Sequence, residues 1–365
     1  MKKLIVEKDK IKSNIQVIKK AAGDAEIIAV IKANAYGLGL LQMAEICQES
    51  GISFFAVTEP KDAAALRDSG FTDAKILVLN STACPDDIDL ILRSNAIATV
   101  GSTDAAKELN DAAKKLDKRC CVHIKIDTGM GRYGFLPNEL DKIISVYHDF
   151  SNLTVTGCYT HYANAFRSKK KTLSQYNTFI SVIDKIRSSD CDPGLLHASN
   201  SEALFGCRVP SLDAVRIGSA LSGRVISKGD FGLAKTGNII ESEIAEIRCL
   251  PKGTTVGYGS TYITKRNTRI AVLPFGTTDG YLIGSARSDF RFHVCLRTSI
   301  SALLSFFNHR APTITVQGKQ APVIGQIGVN HIVIDVTDIE CNPGMPVFIN
   351  VNPIFVPSSI EREFV

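Results

Sequence analysis

About the first 230 residues alternate short apolar runs with longer amphipathic segments, and this alternation constrains the fold more than any other feature of the chain. Helical periodicity marks the segments between the runs, for example residues 61–69, 103–116 and 173–188. The apolar runs, each a candidate strand, are residues 27–31, 54–57, 75–79, 96–100, 122–126, 154–159, 194–198 and 213–217. Their number and even spacing predict an α/β fold, a closed (β/α)8 barrel of the TIM type rather than an open doubly wound sheet.

From about residue 239 the pattern changes to successive strand-like runs with turn sequences between them. The turn sequences are rich in Gly and Pro, as in residues 251–253 and 342–344. The candidate strands are residues 243–248, 269–273, 313–316, 332–336 and 346–351. We therefore predict two domains, a barrel over residues 1–235 and a smaller, mainly β domain over residues 236–365.

Composition excludes several classes of protein. The 365 residues are 45% hydrophobic and 22% charged, as in ordinary globular proteins, and the net charge of +5 is spread along the chain, which argues against a nucleic-acid partner. No apolar run approaches the ~20 residues that span a bilayer, so we expect no membrane segment. The ten cysteines are scattered, without a Cys-x-x-Cys pair, which predicts no metal site and a reducing, cytoplasmic location.

Lys32 directly follows the first apolar run. A lysine in this place is most often a surface residue whose stem lies along apolar groups. Here small residues and glycines follow, over residues 33–39, and they leave room for a ligand. In a barrel, function concentrates where strands end. A partly buried lysine loses its charge readily, and its neutral amine can bond covalently to an aldehyde cofactor.

The fifth apolar run carries a polar stripe. His123, Lys125 and Asp127 alternate with apolar residues, so they share one face of the predicted strand. Such a face is costly inside a barrel unless its groups are paired, and it therefore indicates a site; the alternative is an exposed strand that forms salt bridges. The loop that follows offers Arg132 among glycines.

The ends of the last predicted barrel strands suggest an anion site. Asn200 and Ser201 follow the seventh run, where polar side chains and free N–H groups at the start of a helix can bind an anion. Arg216 lies near the end of the eighth run and Gly218 follows it, and barrels favour phosphate sites after strands seven and eight. A phosphate after these two strands and an aldehyde-binding Lys32 describe pyridoxal phosphate. His161 lies two residues after the sixth run, where a lone histidine is more often structural.

These segments resemble the motifs of the alanine racemase family, fold type III of the pyridoxal-phosphate enzymes, and they occur in the same order. The matching segments are residues 32–39, 123–135, 159–163, 197–201, 215–218, 256–259 and 273–276. The resemblance implies an isomerase that interconverts L- and D-alanine and supplies D-amino acid for peptidoglycan. It also implies a homodimer with composite active sites, in which Lys32 serves one face of the amino-acid substrate and the partner subunit's Tyr258 serves the other.

The resemblance also implies roles for the other site residues. Arg132 contacts the cofactor and the substrate carboxylate, and a carbamylated Lys125 supports Arg132. Arg216, buttressed by His161, bonds the pyridine nitrogen; because arginine keeps its proton, the ring stays unprotonated and transamination is limited. The residues that hold the phosphate or surround the cofactor are Tyr36, Asn200, Ser201, Ile217 and Gly218.

The second domain departs from the family pattern in three places. Val329 stands in a segment where alanine racemases commonly carry Met-Asp, although its backbone N–H can still bind a substrate carboxylate. Thr277 replaces a tyrosine at the entrance, and Asn350 and Asn352 lie near the place of a pocket tyrosine, as in the serine racemases of vancomycin-resistance clusters. A serine or dual serine/alanine racemase is therefore an alternative. Less favoured are a decarboxylase, against which Tyr258 argues, and a non-catalytic pyridoxal-phosphate-binding protein, which would lack the second domain.

Overall fold

The computed structural model describes residues 2–283, 295–297, 299–300 and 311–365. The chain forms two compact units, Glu7–Thr236 and Met1–Val6 with Gly237–Val365. The expectation that the barrel domain begins at residue 1 is corrected. The first strand, β1 (Lys3–Val6), pairs antiparallel with residues 239–241 and parallel with residues 361–364. A strand with only three apolar residues does not specify which sheet it joins, because any sheet edge can accept its backbone hydrogen bonds.

The unit Glu7–Thr236 is a closed barrel of eight parallel strands, which confirms the predicted fold class. The strand Ala214–Ile217 pairs with the strand Glu26–Val30 and closes the barrel. The strands are β2 (Glu26–Val30), β3 (Phe54–Val57), β4 (Lys75–Ser81), β5 (Ile97–Val100), β6 (Cys120–Lys125), β7 (Leu153–Tyr159), β8 (Leu195–Asn200) and β9 (Ala214–Ile217). The helices around them are α1 (Lys8–Ala22), α2 (Lys32–Tyr36), α3 (Leu40–Glu49), α4 (Pro60–Asp68), α5 (Pro85–Arg93), α6 (Thr103–Lys115), α7 (Leu140–His148) and α8 (Lys169–Ser188).

The barrel interior is apolar on one side and polar on the other. The apolar part is a cluster on β2, β3, β4 and β9: Ile28, Val30, Phe54, Ala56, Leu77 and Ala214. The polar part is buried on β5 to β9: Thr99, His123, Lys125, Tyr159, His197 and Arg216. Buried polar groups are stable only when they are paired, so this half of the interior depends on the contacts described below.

The second unit is mainly β, as predicted. Its strands are β10 (Ile239–Glu243), β11 (Glu246–Leu250), β12 (Thr255–Val256), β13 (Tyr262–Ile263), β14 (Thr268–Leu273), β15 (Thr313–Val316), β16 (Lys319–Ile324), β17 (Ile332–Asp335), β18 (Pro346–Asn350) and β19 (Glu361–Phe364). Among the described residues, nine strands form one sheet in the order β11-β14-β17-β16-β15-β18-β10-β1-β19, and β12 and β13 form a hairpin.

The predicted strand over residues 243–248 is wrong, because the chain changes partners within it. Strand β10 pairs with β18, whereas β11 pairs with β14. The amide of Ile244 still donates to the carbonyl of Met345, directly before β18. The amide of the next residue, Ala245, donates to the carbonyl of Val272 in β14. No glycine or proline marks the break, so the sequence gives no turn signal there.

Candidate active site

A cavity of about 300 Å³ opens at the carboxyl ends of the barrel strands. It brings together nine of the residues that the sequence analysis assigned to the site: Lys32, Tyr36, Lys125, Arg132, His161, Asn200, Ser201, Arg216 and Gly218. Further lining residues are Val30, Thr58, Leu79, Asn80, Tyr133, Tyr159, Glu202 and Ser219. Ile217 is buried in β9 and is not part of the lining, because neighbouring residues of a strand face opposite sides.

Lys32 lies at the end of β2, before a turn of left-handed backbone. Burial, and then the nearby charge of Arg132, lower the pKa of Lys32. Residues 33–36 have φ between 51° and 56°, a conformation that L-residues seldom adopt. The amide of Leu40 donates to Asn34 Oδ1 at 2.8 Å and helps to close this turn. The result is an amine held at the cavity in a state that favours nucleophilic attack.

Lys125 is a second perturbed lysine, from β6. Its side chain is buried, and burial together with Arg132 and Arg216 lowers its pKa to about 8. Its Nζ lies 5.4 Å from the ring centre of Tyr133 and 5.5 Å from that of Tyr159. In the described part of the chain it forms no salt bridge with a carboxylate. About one amine in ten is thus uncharged at pH 7, far more than for an exposed lysine.

Arg132 is carried by a loop that folds around Asp127. Asp127 Oδ1 accepts hydrogen bonds from the amides of Gly129 at 2.9 Å and Met130 at 2.7 Å, and Oδ2 accepts one from Gly131 at 2.8 Å. Burial raises the pKa of Asp127, but these backbone donors outweigh it and the net pKa is lowered. Asp127 therefore faces its own loop, whereas His123 and Lys125 face the barrel interior.

Arg216 lies across the floor of the cavity and is buried. Its Nη1 donates to His197 Nδ1 at 2.6 Å and to the His197 carbonyl at 3.1 Å. Its Nη2 donates to the carbonyls of Thr160 at 2.7 Å and Ala198 at 3.1 Å, and lies 3.3 Å from His161 Nδ1. Among the described residues, its Nε–H has no hydrogen-bond acceptor, so this donor remains for a ligand.

The family resemblance implies that His161 supports Arg216, but the closer imidazole belongs to His197. Burial, and then Arg216, lower the pKa of both histidines well below the usual value, so both are neutral. The ring of Tyr159 also supports Arg216: the guanidinium lies 4.9 Å from its centre. These partners could have been suspected from the polar residues on buried strands, although no spacing rule pairs them with Arg216.

Tyr36, Ser201 and Gly218 form a cradle for an anion. Ser201 Oγ accepts hydrogen bonds from the amides of Gly218 at 3.3 Å and Ala220 at 3.4 Å, which leaves its own hydrogen free to donate. A Cβ atom at position 218 would lie 2.5 Å from the Tyr36 hydroxyl, so only glycine fits there. Burial raises the pKa of Tyr36 to about 12 and keeps it a donor. The Asn200 side chain instead caps the amide of Ala203 at 2.9 Å.

Tyr258 and Val329 belong to the second unit, where adjoining loops carry them. Tyr258 is 77% exposed and Val329 is 60% exposed. The loop of Tyr258 passes close to the loop of Val329, since a Cβ atom on Gly257 would lie 3.0 Å from the amide nitrogen of Gln326. The Thr278 hydroxyl donates to the Val329 carbonyl at 2.9 Å. This unit therefore presents a tyrosine hydroxyl and a valine on its surface.

Comparison with known families identifies the chain. The model of the alanine racemase N-terminal domain matches residues 6–225, and that of the alanine racemase C-terminal domain matches residues 239–353. The chain belongs to the alanine racemase family. A relative named alanine racemase, from Clostridium perfringens, is 35% identical over 343 residues, which cover 92% of this chain and 82% of that protein. Another, from Halothermothrix orenii, is 32% identical over 330 residues, or 89% of this chain and 80% of that protein.

Solved structures of alanine racemases share the fold. The alanine racemase of Bacillus anthracis with bound L-Ala-P has a TM-score of 0.84 at 26% identity, covering 99% of this chain and 94% of that chain. No helix of the described residues is long and apolar enough to cross a membrane. Within the same residues, no three His, Cys, Asp or Glu side chains gather in a way that could hold a metal ion.

Proposed function

We propose that this protein interconverts L- and D-alanine with pyridoxal phosphate as its cofactor. One observation carries the proposal: a single cavity holds a lysine with a lowered pKa, a buried arginine with a spare N–H, and a cradle for an anion. Pyridoxal phosphate has an aldehyde, a pyridine nitrogen and a phosphate, and each has a matching group in Lys32, Arg216 and the cradle of Tyr36, Ser201 and Gly218. When bound, it withdraws electrons from the substrate and acidifies its α-proton.

Racemisation needs one group that removes the α-proton of the amino acid and a second group that returns a proton from the opposite face of the α-carbon. Lys32 is suited to the first task, because burial and the nearby Arg132 lower its pKa and so favour the neutral, proton-accepting amine. The partner subunit's Tyr258 is suited to the second, because its hydroxyl can donate. Arg216 keeps its proton, although burial lowers its pKa to about 10, and it can donate Nε–H without releasing a proton.

Arg132 and Lys125 serve the substrate carboxylate in this proposal. Arg132 is exposed at the cavity and can bind a carboxylate through two parallel N–H groups. An amine with a pKa of about 8 is about one quarter neutral at pH 7.5, and only the neutral amine reacts with carbon dioxide to give a carbamate. The carbamate of Lys125 would replace a cation by an anion between Arg132 and Arg216.

The active unit is a homodimer in this proposal, and Tyr258 and Val329 support it. Tyr258 is 77% exposed and Val329 is 60% exposed, so both are accessible to a partner subunit. Each composite site would then combine the barrel of one subunit with Tyr258 and the Val329 amide of the other. We assign the enzyme to the cytoplasm and to the supply of D-alanine for peptidoglycan, a location in which its ten free cysteines stay reduced.

A reductive labelling experiment tests the proposal. The purified protein should be yellow, and borohydride should fix the cofactor to the peptide that contains Lys32; label on another lysine would refute the assignment.

L-Alanine and L-serine are then compared as substrates. A preference for alanine of roughly a thousandfold or more would reject the serine alternative, because an apolar pocket alone discriminates against a hydroxyl by only about a hundredfold. Racemisation of neither amino acid would leave a non-catalytic cofactor-binding protein.

A further inference from the structure

A chain of two imidazoles extends from Arg216 away from the cavity. Arg216 Nη1 lies 2.6 Å from His197 Nδ1, and His197 Nε2 lies 2.8 Å from His123 Nδ1. The three side chains come from β9, β8 and β6, and they are 3%, 0% and 1% exposed. His123 does not line the cavity. It belongs to the polar stripe of the sequence, and the functions assigned above make no use of it.

The direction of each hydrogen bond in this chain follows from chemistry. A guanidinium can only donate, so His197 Nδ1 must accept and carries no hydrogen. A neutral His197 then has its hydrogen on Nε2 and donates it to His123 Nδ1. His123 must in turn carry its hydrogen on Nε2. Burial lowers the pKa of His123 to about 3 and that of His197 well below 6.5, so both rings are neutral and only one arrangement of hydrogens fits.

The packing around both imidazoles holds them in place. The His197 ring stacks on Tyr159, with ring centres 4.8 Å apart and an angle of 8° between the planes. The His123 ring lies against Gly157, where an added Cβ atom would be 2.7 Å from His123 Nε2. The edge of Phe54 meets His123 at a centroid distance of 6.3 Å. Neither ring can turn freely to satisfy a different hydrogen-bond pattern.

We propose that His123 is a positioning residue for Arg216, acting through His197. By accepting from His197 Nε2, it fixes the tautomer in which Nδ1 can accept from Arg216, and so it sets the plane in which the guanidinium presents Nε–H to the cavity. This role rests on the proposed function, in which Nε–H meets the pyridine nitrogen. The chain of hydrogen bonds itself exists whether or not the protein is a racemase.

Nitrogen NMR of the full-length protein, with and without pyridoxal phosphate, tests the arrangement directly. The protein is labelled with ¹⁵N at its seven histidines, and each signal is assigned by its loss in the matching variant. Neutral imidazoles protonated at Nε2 and at Nδ1 give distinct nitrogen shifts. We expect His197 and His123 both to carry the hydrogen on Nε2; a hydrogen on His197 Nδ1 would overturn the proposal.

A matched pair of variants tests the role. In His123→Asn the amide oxygen can replace Nδ1 as acceptor, so the His197 signals should persist and kcat/KM should stay within about twofold of the unsubstituted protein. In His123→Leu the acceptor is gone, so the His197 signals should shift and kcat/KM should fall roughly two- to tenfold, the effect of one neutral hydrogen bond. Loss of activity with unchanged His197 signals, or equal behaviour of the two variants, would refute the role.

Gly157→Ala is the second variant if His123→Leu fails to fold. It keeps every hydrogen-bonding group but forces the His123 ring to move, so the His197 signals should shift as in His123→Leu; unchanged signals would count against the proposal. The two hypotheses fail in different ways. A protein without racemase activity but with the expected tautomers refutes the proposed function alone, whereas an active racemase with His197 protonated on Nδ1 refutes the positioning role alone.

Discussion

At the scale of single residues, the carboxylate of Asp127 fixes the loop that carries Arg132. Asp127 accepts hydrogen bonds from the amides of Gly129, Met130 and Gly131, the three residues directly before Arg132. Glycines at 129 and 131 have φ of 128° and 69°, values that side chains rarely tolerate. Residues suited to the backbone, rather than to contact with a ligand, therefore position Arg132, the arginine proposed to bind the substrate.

We predict that Asp127→Asn weakens both the fold and catalysis. The amide nitrogen that replaces Oδ2 cannot accept from Gly131, so about one hydrogen bond is lost. The expected cost is ~1 kcal/mol of unfolding free energy and roughly tenfold in kcat/KM. Urea unfolding and steady-state kinetics measure both effects. Asp141→Asn, at an exposed position of α7, is the matched control and should change neither quantity.

The stability loss in Asp127→Asn should depend on pH. The folded-state pKa of Asp127 is lowered, so its stabilisation is fully present above the unfolded-state value near 3.8. It is lost as the pH falls through the folded-state pKa. The difference in unfolding free energy between the unsubstituted protein and Asp127→Asn should therefore shrink as the pH falls. A difference that grows as the pH falls would contradict the lowered pKa of Asp127.

At the scale of elements, the left-handed turn after Lys32 is the least regular part of the barrel. Four successive non-glycine residues have positive φ, each at a cost of about 1–2 kcal/mol relative to right-handed backbone. The bonds of Gly37 and Gly39 to the carbonyls of Ala33 and Asn34 hold the turn closed. The strained backbone is retained next to the amine that the proposed chemistry requires.

We predict that Ala33→Gly stabilises the protein, against the usual effect of glycine. Ala33 is exposed, so the change acts on the backbone alone. Relief of the left-handed strain should outweigh the added entropy of the unfolded chain, for a net gain of ~0.5–1 kcal/mol. Ala65→Gly, inside the regular helix α4, should lose about as much. Thermal unfolding of both variants decides the matter, and a loss in both would show that position 33 carries no strain.

At the scale of the whole molecule, the ends of the chain meet in one sheet. Leu4 on β1 is fully buried, opposite Ile240 on β10 and Arg362 on β19. The chain therefore begins in the second unit, forms the barrel, and returns to the second unit after Thr236. The family model for the N-terminal domain starts at residue 6, after most of this strand.

We predict that Leu4→Ala destabilises the sheet of the second unit. Removal of a buried leucine side chain costs about 2–5 kcal/mol when the site cannot collapse. Hydrogen exchange should accelerate for the amides of β10 and β19 and stay unchanged for β2 to β9. Lys3→Ala, whose ion pair with Glu363 lies at the surface, is the control and should alter exchange little. Faster exchange in the barrel strands would mean that β1 supports the other unit instead.

The proposed composite site predicts complementation between two inactive proteins. Lys32→Ala removes the amine of one subunit, and Tyr258→Phe removes only a hydroxyl from the other. Random mixing should form heterodimers in which one of two sites is intact, with about a quarter of the unsubstituted activity. The assay is racemisation after subunit exchange, verified by mass spectrometry. Exchange without recovered activity would place Lys32 and Tyr258 of one subunit in the same site.

The sequence by itself determined the layout of the barrel and the types of residue at its mouth. Apolar periodicity is a local property, so eight strand-and-helix units could be counted without knowing any contact. The position of Lys32, Ser201 and Arg216 at strand ends followed from the same count, because parallel strands of a barrel bring their carboxyl ends together. Resemblance to the alanine racemase family then supplied the role of each residue.

Only the tertiary structure decided which polar groups meet. His123 and His197 are 74 residues apart, and His197 and Arg216 are 19 apart, so their contacts depend on the register of three strands around a closed barrel. The pairing of β1 with strands of the second unit and the left-handed turn after Lys32 could likewise not be predicted from the sequence. Periodicity reports which face of an element is buried, whereas the partner across that face is set by packing over the whole molecule.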